Sequence, residues 1–278
     1  MKVGFITVLY NNVDVLEDFF RSVSIQVGVN YTLYVIDNSD GDDVIIAARI
    51  LANEHSVKSV FYKSEYNCGV AKGNNIGIEL ALSDDCEAIC LINNDLIFDE
   101  PTVFKKLLSK LENNDLVSPY IKAYPSKDWW FTEGYFDLVR GTTPHSGCRR
   151  KSNIPYAPTC CLMVKREVFE RIGLMDEWYF AYYDDSDFVY RAYQHGFKLD
   201  SDSENIIYHK VSSSTGGAES DFSIYYGNRN RVYFIRKKLR KTLPLLYTLG
   251  TRFLMLLSRR TVKQKKLIIK AIRDGFRA

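Results

Sequence analysis

Apolar runs alternate with amphipathic segments along the first part of the chain. Two of these runs are rich in β-branched and aromatic residues: VGFITVLY at residues 3–10, and TLYVID at the start of residues 32–43. Such composition is typical of buried strands. After the first run, Val15, Phe19 and Val23 recur at the spacing of one helix face, which predicts an amphipathic helix.

The same alternation continues over the next fifty residues. Residues 44–54 and 69–82 have the pattern of helices, and residues 57–63 and 87–95 have the pattern of strands. Strands that alternate with helices indicate an α/β protein, and we predict a mostly parallel central sheet with helices on both faces. No repeat or linker interrupts this pattern before about residue 236.

Polar clusters follow three of the predicted strands. They are Asn11-Asn12, residues 37–40 and residues 93–95. Each cluster alone has the composition of an ordinary turn. Ligands of parallel α/β sheets, however, bind beyond the carboxyl ends of the strands. The three clusters together therefore predict a ligand site at that edge.

The segment NCGVAKGNNIG at residues 67–77 has two interpretations. Its three glycines allow a ligand backbone or phosphate to approach a helix start closely. They would equally allow a loop to pack tightly against the sheet. The segment matches neither GxGxxG nor the Walker pattern, so neither dinucleotide binding nor ATP hydrolysis is indicated.

Three aspartates crowd together after an aromatic segment, at Asp184, Asp185 and Asp187. A plain acidic first turn of a helix accounts for one or two of them, because the helix dipole favours negative charge there. Asp187 and Arg191 are four residues apart and are expected to pair. Asp184 and Asp185 then face the aromatic residues, where desolvation raises a carboxyl pKa and suits a general base.

Asp95 and His209 are candidate metal ligands. Asp95 ends a buried strand, and one carboxylate with phosphate oxygens is a common way to hold Mg²⁺. A turn-capping aspartate is the alternative. His209 follows another short apolar run, and a lone histidine there is more often structural unless a metal is independently implied.

Charge is distributed unevenly along the 278 residues. Residues 236–278 hold 14 Lys or Arg and one acid, which leaves 23 of the 37 bases and 33 of the 34 acids for the rest. The six cysteines form no CxxC pair, and the chain begins without a signal peptide. These features predict a reduced cytoplasmic protein with a basic tail.

Within this tail, residues 243–257 carry apolar side chains at helical spacing. The longest uncharged stretch, residues 242–251, is ten residues, about half of the ~20 that cross a membrane. With basic residues on both sides, it predicts an amphipathic helix lying on an anionic membrane surface. Packing on the body, or on a second subunit in a homodimer, is the alternative. Nucleic acid is not expected as a partner, because the aromatic residues lie mostly in the body.

Several spaced runs together resemble glycosyltransferase family 2, in particular its bacterial rhamnosyltransferase-like members. The resemblance runs from Val3 to about Lys238 and is carried by FITVLYNN, YVIDNSDGD, YNCGVAKGNNIGI, LINNDL, WWFTEGYFD with the later HSG, the run from Met163 to Phe197, IIYHKVSSSTGG and YYGNRNRVYFIRK. It implies a GT-A fold, which we assign to residues 1–238, and the basic amphipathic helical tail inferred above then occupies residues 239–278. It also implies an inverting sugar transfer from a nucleoside diphosphate.

The resemblance also assigns roles by position. Asp185 is the general base, with Asp184 beside it, and Asp95 and His209 hold Mg²⁺ or Mn²⁺. The donor-binding residues are Thr7, Tyr10, Asn11, Asp37, Asn67, Gly69, Lys72, Asn74, Asn93 and Asn94. Contacts with the acceptor or the diphosphate are assigned to Trp130, Glu133, Arg229 and Asn230. Asp184 stands where relatives have Glu, and Asn93 stands where they have Asp.

The donor implied by the resemblance is dTDP-rhamnose, with UDP-hexoses and UDP-galactofuranose as alternatives. The acceptor would be a hydroxyl of a cell-surface glycan or a lipid-linked oligosaccharide. A binding module that has lost turnover is a further alternative. A nucleotidyltransferase is less consistent with Tyr10-Asn11-Asn12, because a Gly-rich, basic signature would usually follow the first strand.

Overall fold

The N-terminal half of the molecule is a parallel sheet with helices between its strands. The computed structural model describes residues 1–145, 152–210 and 219–278. In chain order this half contains β1 (Lys2–Leu9), α1 (Leu16–Ser24), β2 (Asn30–Asp37), α2 (Asp43–Glu54), β3 (Ser59–Lys63), α3 (Gly69–Ser83) and β4 (Ala88–Ile92). The strands lie in the order β3-β2-β1-β4, and every neighbouring pair is parallel. The predicted alternation of strands and helices is confirmed.

The second half extends this sheet with mixed strands. It contains β5 (Leu96–Ile97), α4 (Val103–Lys110), β6 (Leu116–Ala123), β7 (Trp129–Phe131), β8 (Gly134–Tyr135), β9 (Pro155–Tyr156), β10 (Cys161–Lys165), α5 (Arg166–Ile172), α6 (Asp184–Gln194), β11 (Leu199–His209), α7 (Asp221–Phe234), a π-helix (Ile235–Leu239), α8 (Thr242–Leu257) and α9 (Val262–Arg277). The order continues from β4 through β10, β6 and β11 to β5. β10 runs antiparallel to both β4 and β6, β5 runs antiparallel to β11, and β6 and β11 are parallel. The predicted α/β fold is confirmed, with the antiparallel pairs confined to this second half of the sheet.

The core explains why the first strands are continuously apolar. Phe5 and Ile6 on β1 and Val35 and Ile36 on β2 are all fully buried. A strand covered by helices on both faces has no side for polar residues. These strands therefore show unbroken apolar runs rather than alternation.

Two glycines of α3 let this helix lie against β1. A Cβ atom added to Gly77 would be 2.4 Å from Cγ2 of Ile6, and one added to Gly73 would be 2.9 Å from Cγ1 of Val8. Such distances are too short for real carbon contacts. Of the two interpretations of the Gly-rich segment, tight packing against the sheet is the correct one for these two positions.

The tail forms two helices. In α9, Ile268 and Ala271 are buried, and a Cβ added to Gly275 would be 2.5 Å from the carbonyl oxygen of Arg229 on α7. The second tail helix therefore packs on the body, which was the alternative to a membrane-bound tail. In contrast, α8 buries only Pro244 and Thr248. No helix in the described ranges is both long and apolar enough to cross a membrane.

Candidate active site

The ends of β1 and β2 are tied together by side chains. Asn11 Nδ2 donates to Asp40 Oδ2 at 2.9 Å, and the Asp40 backbone N–H donates to Asn11 Oδ1 at 3.1 Å. Asn11 has a φ of 46°, a conformation that asparagine tolerates better than most residues. Two of the polar clusters predicted at the sheet edge are therefore neighbours.

Asp37 is fully buried, and the protein itself binds both of its carboxylate oxygens. Oδ1 accepts hydrogen bonds from the Ser39 N–H and hydroxyl at 2.9 and 2.5 Å, and Oδ2 lies 2.8 Å from Lys63 Nζ. Asp37 thus fastens the turn after β2, and its contact with a donor base stays a prediction. Nearby, the Thr7 hydroxyl is buried without a hydrogen-bond partner in the described residues, whereas Tyr10 is exposed.

The loop before α3 contacts the segment that leads into α6. Gly69 has a φ of +83°, and a Cβ there would lie 2.5 Å from the carbonyl oxygen of Phe180. The Asn67 side chain holds the Gly69 N–H at 3.1 Å. Asn74 is buried with its amide 3.7 Å from the Met175 sulfur. Gly69 and Asn74 therefore face protein groups. The predicted donor contacts of this loop, including that of the half-buried Lys72, stay predictions.

Asp95 and His209 come together at the ends of β4 and β11. Asp95 Oδ1 lies 3.1 Å from His209 Nε2, and both side chains are about nine-tenths buried. Asn94 is also buried, whereas Asn93 is exposed. The Trp130 ring packs edge-on against His209, with ring centroids 4.5 Å apart.

This pair is suited to a divalent ion. Within the described ranges no three His, Cys, Asp or Glu side chains form a cluster that could hold a metal. Mg²⁺ does not need one, since it is commonly bound by one or two protein groups plus substrate phosphates, and Mn²⁺ accepts the same oxygen ligands. The Nδ1 atom of His209 has no hydrogen-bond partner in the described residues. One carboxylate and one imidazole therefore fit an ion whose remaining ligands come from a substrate.

A strained turn positions the start of α6. Tyr182 and Tyr183 both have a φ of 67°, and each such residue costs about 1–3 kcal/mol. Asn230 holds the turn, because its Nδ2 donates to the carbonyl oxygens of Ala181 and Tyr182 at 2.7 and 2.9 Å. Arg229 similarly donates to the Trp178 carbonyl at 2.8 Å. Arg229 and Asn230 thus position the turn, and their predicted contact with acceptor or diphosphate stays a prediction.

Both carboxylate oxygens of Asp185, the residue after Asp184, accept hydrogen bonds. Its Oδ1 accepts from the Ser186 N–H at 2.6 Å, and its Oδ2 accepts from the Tyr156 hydroxyl. The same hydroxyl lies 3.3 Å from His145 Nε2. Neither Tyr156 nor His145 was predicted to be a site residue. His145 is the first residue of the HSG run that contributed to the resemblance, whereas no motif or spacing in the sequence pointed to Tyr156.

Asp184 differs from Asp185 in its environment. Burial, followed by the charges of Asp185 and Asp187, raises the pKa of Asp184 to about 8. Asp187 forms the predicted ion pair with Arg191 at 2.7 Å and a second one with Lys238 at 3.1 Å. At neutral pH Asp184 is therefore protonated, and the charge of Asp187 is balanced by its two ion pairs.

A run of direct contacts joins Asp95 to Asp185. It passes from His209, which lies against Asp95, through Trp130 and His145 to the Tyr156 hydroxyl that donates to Asp185. The metal-binding candidate and the base candidate thus belong to one cluster of side chains.

The two remaining acceptor-side candidates, Trp130 and Glu133, differ in burial and in their contacts. Trp130 sits between the rings of His209 and His145, with its centroid 4.4 Å from that of His145. Glu133 is exposed and accepts hydrogen bonds from the hydroxyls of Tyr120 and Tyr135, both at 3.4 Å. Only Trp130 is therefore in contact with the metal-binding candidate.

The comparison with protein families gives one match over most of the chain. The family described as Glycosyl transferase family 2 matches residues 5–173. A curated relative, the low-salt glycan biosynthesis hexosyltransferase Agl10 of Haloferax volcanii, is 26% identical over 172 residues, which are 59% of this chain and 56% of the relative. The match therefore spans little more than half of that relative's length.

Solved structures share the fold. The mannosyltransferase PcManGT of Pyrobaculum calidifontis, in complex with GDP-Man and Mn²⁺, has a TM-score of 0.61 at 15% identity and covers 99% of this chain and 75% of its own. Residues 1–349 of S. aureus TarS, in complex with UDP-GlcNAc, give a TM-score of 0.65 at 15% identity, covering 100% of this chain and 81% of their own. These likenesses establish the GT-A fold.

Replacing Asp184 by Asn should change how stability depends on pH. The raised pKa means that folded Asp184 keeps its proton between about pH 4 and pH 8, whereas the unfolded chain loses it. The folded state binds more protons there, so the free energy of unfolding falls as pH rises, by up to about 1.4 kcal/mol per unit. Asp184→Asn should remove this decline in urea unfolding at pH 5, 6 and 7.

The exposed Asp99 provides the control for this measurement. Asp99→Asn should leave the wild-type slope unchanged. If Asp184→Asn also leaves it unchanged, Asp184 is ionised in the folded protein and the division of roles between Asp184 and Asp185 is wrong.

Proposed function

The chain belongs to glycosyl transferase family 2, and we propose that it moves a sugar from a nucleoside diphosphate to an acceptor hydroxyl with inversion at the anomeric carbon. The observation that carries the proposal is the run of direct contacts that joins Asp95 to Asp185 through His209, Trp130, His145 and Tyr156. A base and a diphosphate-binding group in one cluster of side chains are the two parts that such a transfer requires.

Asp185 is the proposed general base. It takes the proton from the acceptor hydroxyl as that oxygen bonds to the anomeric carbon, and the bond from this carbon to the diphosphate oxygen breaks. The diphosphate leaves with the electron pair. Hydrogen bonds from Ser186 and Tyr156 orient the Asp185 carboxyl group before the step, and protonated Asp184 adds no second charge beside it. Orientation of a base in this way contributes to its efficiency.

Asp95 and His209 are the proposed metal ligands. A bound Mg²⁺ or Mn²⁺ would supply positive charge to the departing diphosphate. The 3.1 Å separation of the two ligand atoms and their burial support this assignment. The fold relative that contains GDP-Man and Mn²⁺ supports it further.

The proposed donor is dTDP-rhamnose, as the resemblance implied. A hexosyltransferase relative and fold relatives with GDP-Man and UDP-GlcNAc make UDP- and GDP-hexoses the alternatives. The proposed acceptor is a hydroxyl of a cell-surface glycan or a lipid-linked oligosaccharide, consistent with the glycan biosynthesis in the relative's name.

The exposed side of α8 supports attachment to an anionic membrane, which we propose as a property of this transferase. Its large apolar side chains, at the spacing of one helix face, are Leu243, Leu246, Tyr247, Phe253, Leu254 and Leu257. Exposed basic residues precede this helix at Lys237, Arg240 and Lys241 and follow it at Arg259 and Lys263. Each can contribute about 1 kcal/mol near an anionic surface. An apolar face with basic ends is complementary to acidic lipid at the inner face of the cell membrane.

Asp185→Asn tests the base. The variant keeps the size of the side chain but cannot accept the proton, so kcat should fall by about 10²- to 10⁴-fold. The dissociation constant for the nucleoside diphosphate, measured by calorimetry, should change less than twofold. Asp99→Asn should match the wild type in both. Retained turnover in Asp185→Asn would exclude Asp185 as the base, and absence of turnover in the wild type with every donor would favour a binding module.

Thermal denaturation with nucleotide sugars tests the donor and the metal. At a donor concentration of 100 times the dissociation constant, binding adds about 2.7 kcal/mol to the free energy of unfolding, so Tm should rise by several degrees. We expect the largest rise with dTDP-rhamnose plus Mn²⁺, compared with UDP-galactose, UDP-GlcNAc and GDP-mannose. In Asp95→Asn the Mn²⁺-dependent part of the rise should disappear. A full rise without metal, or in that variant, would contradict the metal assignment.

Co-sedimentation with vesicles tests the membrane proposal. The double variant Phe253→Asn/Leu254→Asn should reduce sedimentation with phosphatidylglycerol vesicles several-fold at low salt, and high salt should weaken the wild type as well. A matched control is Ile46→Asn/Ile50→Asn, because these two side chains on α2 are similarly exposed. Equal sedimentation of both double variants would contradict the proposal. A change in the sedimentation mass of the free protein instead would assign the α8 face to a second copy of the chain.

A further inference from the structure

A basic cleft lies between α7 and α8, beside the start of α6. Its volume is about 290 Å³. The lining includes three arginines, Arg231, Arg252 and Arg260, together with Tyr183 and Glu219. The transfer mechanism proposed above uses none of the three arginines.

Two of these arginines have no carboxylate partner. Glu219 pairs with Arg260, with Oε1 and Nη2 2.9 Å apart. No comparable ion pair forms at Arg231 or Arg252 within the parts of the chain that the structure describes. The two segments that are not described, residues 146–151 and 211–218, contain no acidic residue. The cleft thus holds excess positive charge.

Arg231 is the more buried of the two. Its side chain is 8% exposed. It donates one hydrogen bond, from Nη2 to the carbonyl oxygen of Arg140, and its Nε has no partner in the described residues. A buried cation with an unused N–H is unfavourable unless an anion approaches it.

Arg252 reaches the same cleft from α8. Its Nε donates to Asn228 Oδ1 at 2.6 Å, and its Nη1 lies 3.0 Å from the Thr251 hydroxyl. Burial and then the charge of Arg231 lower the pKa of Arg252 to about 10. The neighbouring like charges therefore repel each other as long as no anion lies between them.

We propose that this cleft binds a phosphate or diphosphate group that the acceptor carries. Two guanidinium groups on one cleft are suited to phosphate oxygens, because each presents planar N–H donors that can bind two oxygens at once. The inference rests on the proposed transfer and names its acceptor class, a phosphate ester of a lipid-linked glycan.

The position of the cleft favours the acceptor over the donor. Tyr183, in its lining, directly precedes the two catalytic candidates Asp184 and Asp185. The donor diphosphate is instead assigned to Asp95 and His209, at the ends of β4 and β11, and neither residue lines the cleft. An anion held by α7 and α8 would therefore lie beside the turn that carries the proposed base and not at the proposed metal site.

The lipid part of such an acceptor has an adjacent surface. Arg252 and Met255 of α8 line the cleft, while Phe253 and Leu254 of the same helix are 61% and 64% exposed. One helix thus contacts both the charged cleft and the surface assigned to the membrane. A phosphorylated lipid has its charged group and its apolar chain joined in the same way.

Calorimetry on the full chain with two probes, inorganic diphosphate and a short-chain alkyl diphosphate, tests this inference. Chelator is present and no donor is added, so that the metal-dependent donor site contributes little. Arg252→Gln should weaken binding of the alkyl diphosphate at least tenfold, and Arg252→Lys, which keeps the charge but not the fork, several-fold. Arg252→Gln also removes the repulsion with Arg231, so the variant should fold. Arg277→Gln, at an exposed arginine of the same tail, should leave binding unchanged.

Each other outcome overturns the inference. Unchanged binding of the alkyl diphosphate to Arg252→Gln would show that the cleft is not its site. Equal weakening of dTDP or UDP binding in the presence of Mn²⁺ would assign Arg252 to the donor. Tighter binding of inorganic diphosphate than of the alkyl ester would indicate a site for free anions. Because no turnover is needed, failure here is distinguishable from failure of the transfer assay.

Discussion

The site depends on one strained turn, the pair of left-handed tyrosines Tyr182 and Tyr183 that precedes α6. Neither residue favours this conformation, so surrounding contacts must impose it. Asn230 binds the carbonyl groups of the turn from one side. On the other side, the absence of a side chain at Gly69 leaves room for the backbone of Phe180. The turn thus joins the nucleotide-side loop to α7 and directs the two aspartates that follow.

The three crowded carboxyl groups of Asp184, Asp185 and Asp187 lie in different environments. Asp187 forms ion pairs with Arg191 and Lys238 and so has a structural role. Asp184 is buried and forms no ion pair within the described part of the chain, so it takes up a proton. Asp185 is less buried and accepts hydrogen bonds from Ser186 and Tyr156. Three neighbouring carboxyl groups are thus separated by their environments into one that is ion-paired, one that is protonated and one that is hydrogen-bonded.

Local patterns in the sequence predicted the elements of the first half, the strand-end clusters and the Asp187–Arg191 pair, because these depend on periodicity and short spacing. The mixed order of the later strands was not predictable, since β10 joins the sheet through long-range pairing. Tyr156 and His145 were not predicted as site residues for the same reason, because only the fold brings them close to Asp185. The glycines of α3 allowed two interpretations, and only the position of Ile6 and Val8 distinguishes them.

The tail is coupled to the site through α7. The carbonyl oxygen of Arg229 lies against Gly275 of α9, while the side chain of Arg229 reaches the Trp178 carbonyl before the strained turn. Arg252 of α8 donates a hydrogen bond to Asn228 of α7. The helix that holds Tyr182 and Tyr183 is therefore in contact with both helices of the tail, so a change in the packing of α8 or α9 reaches the strained turn through a single intervening helix.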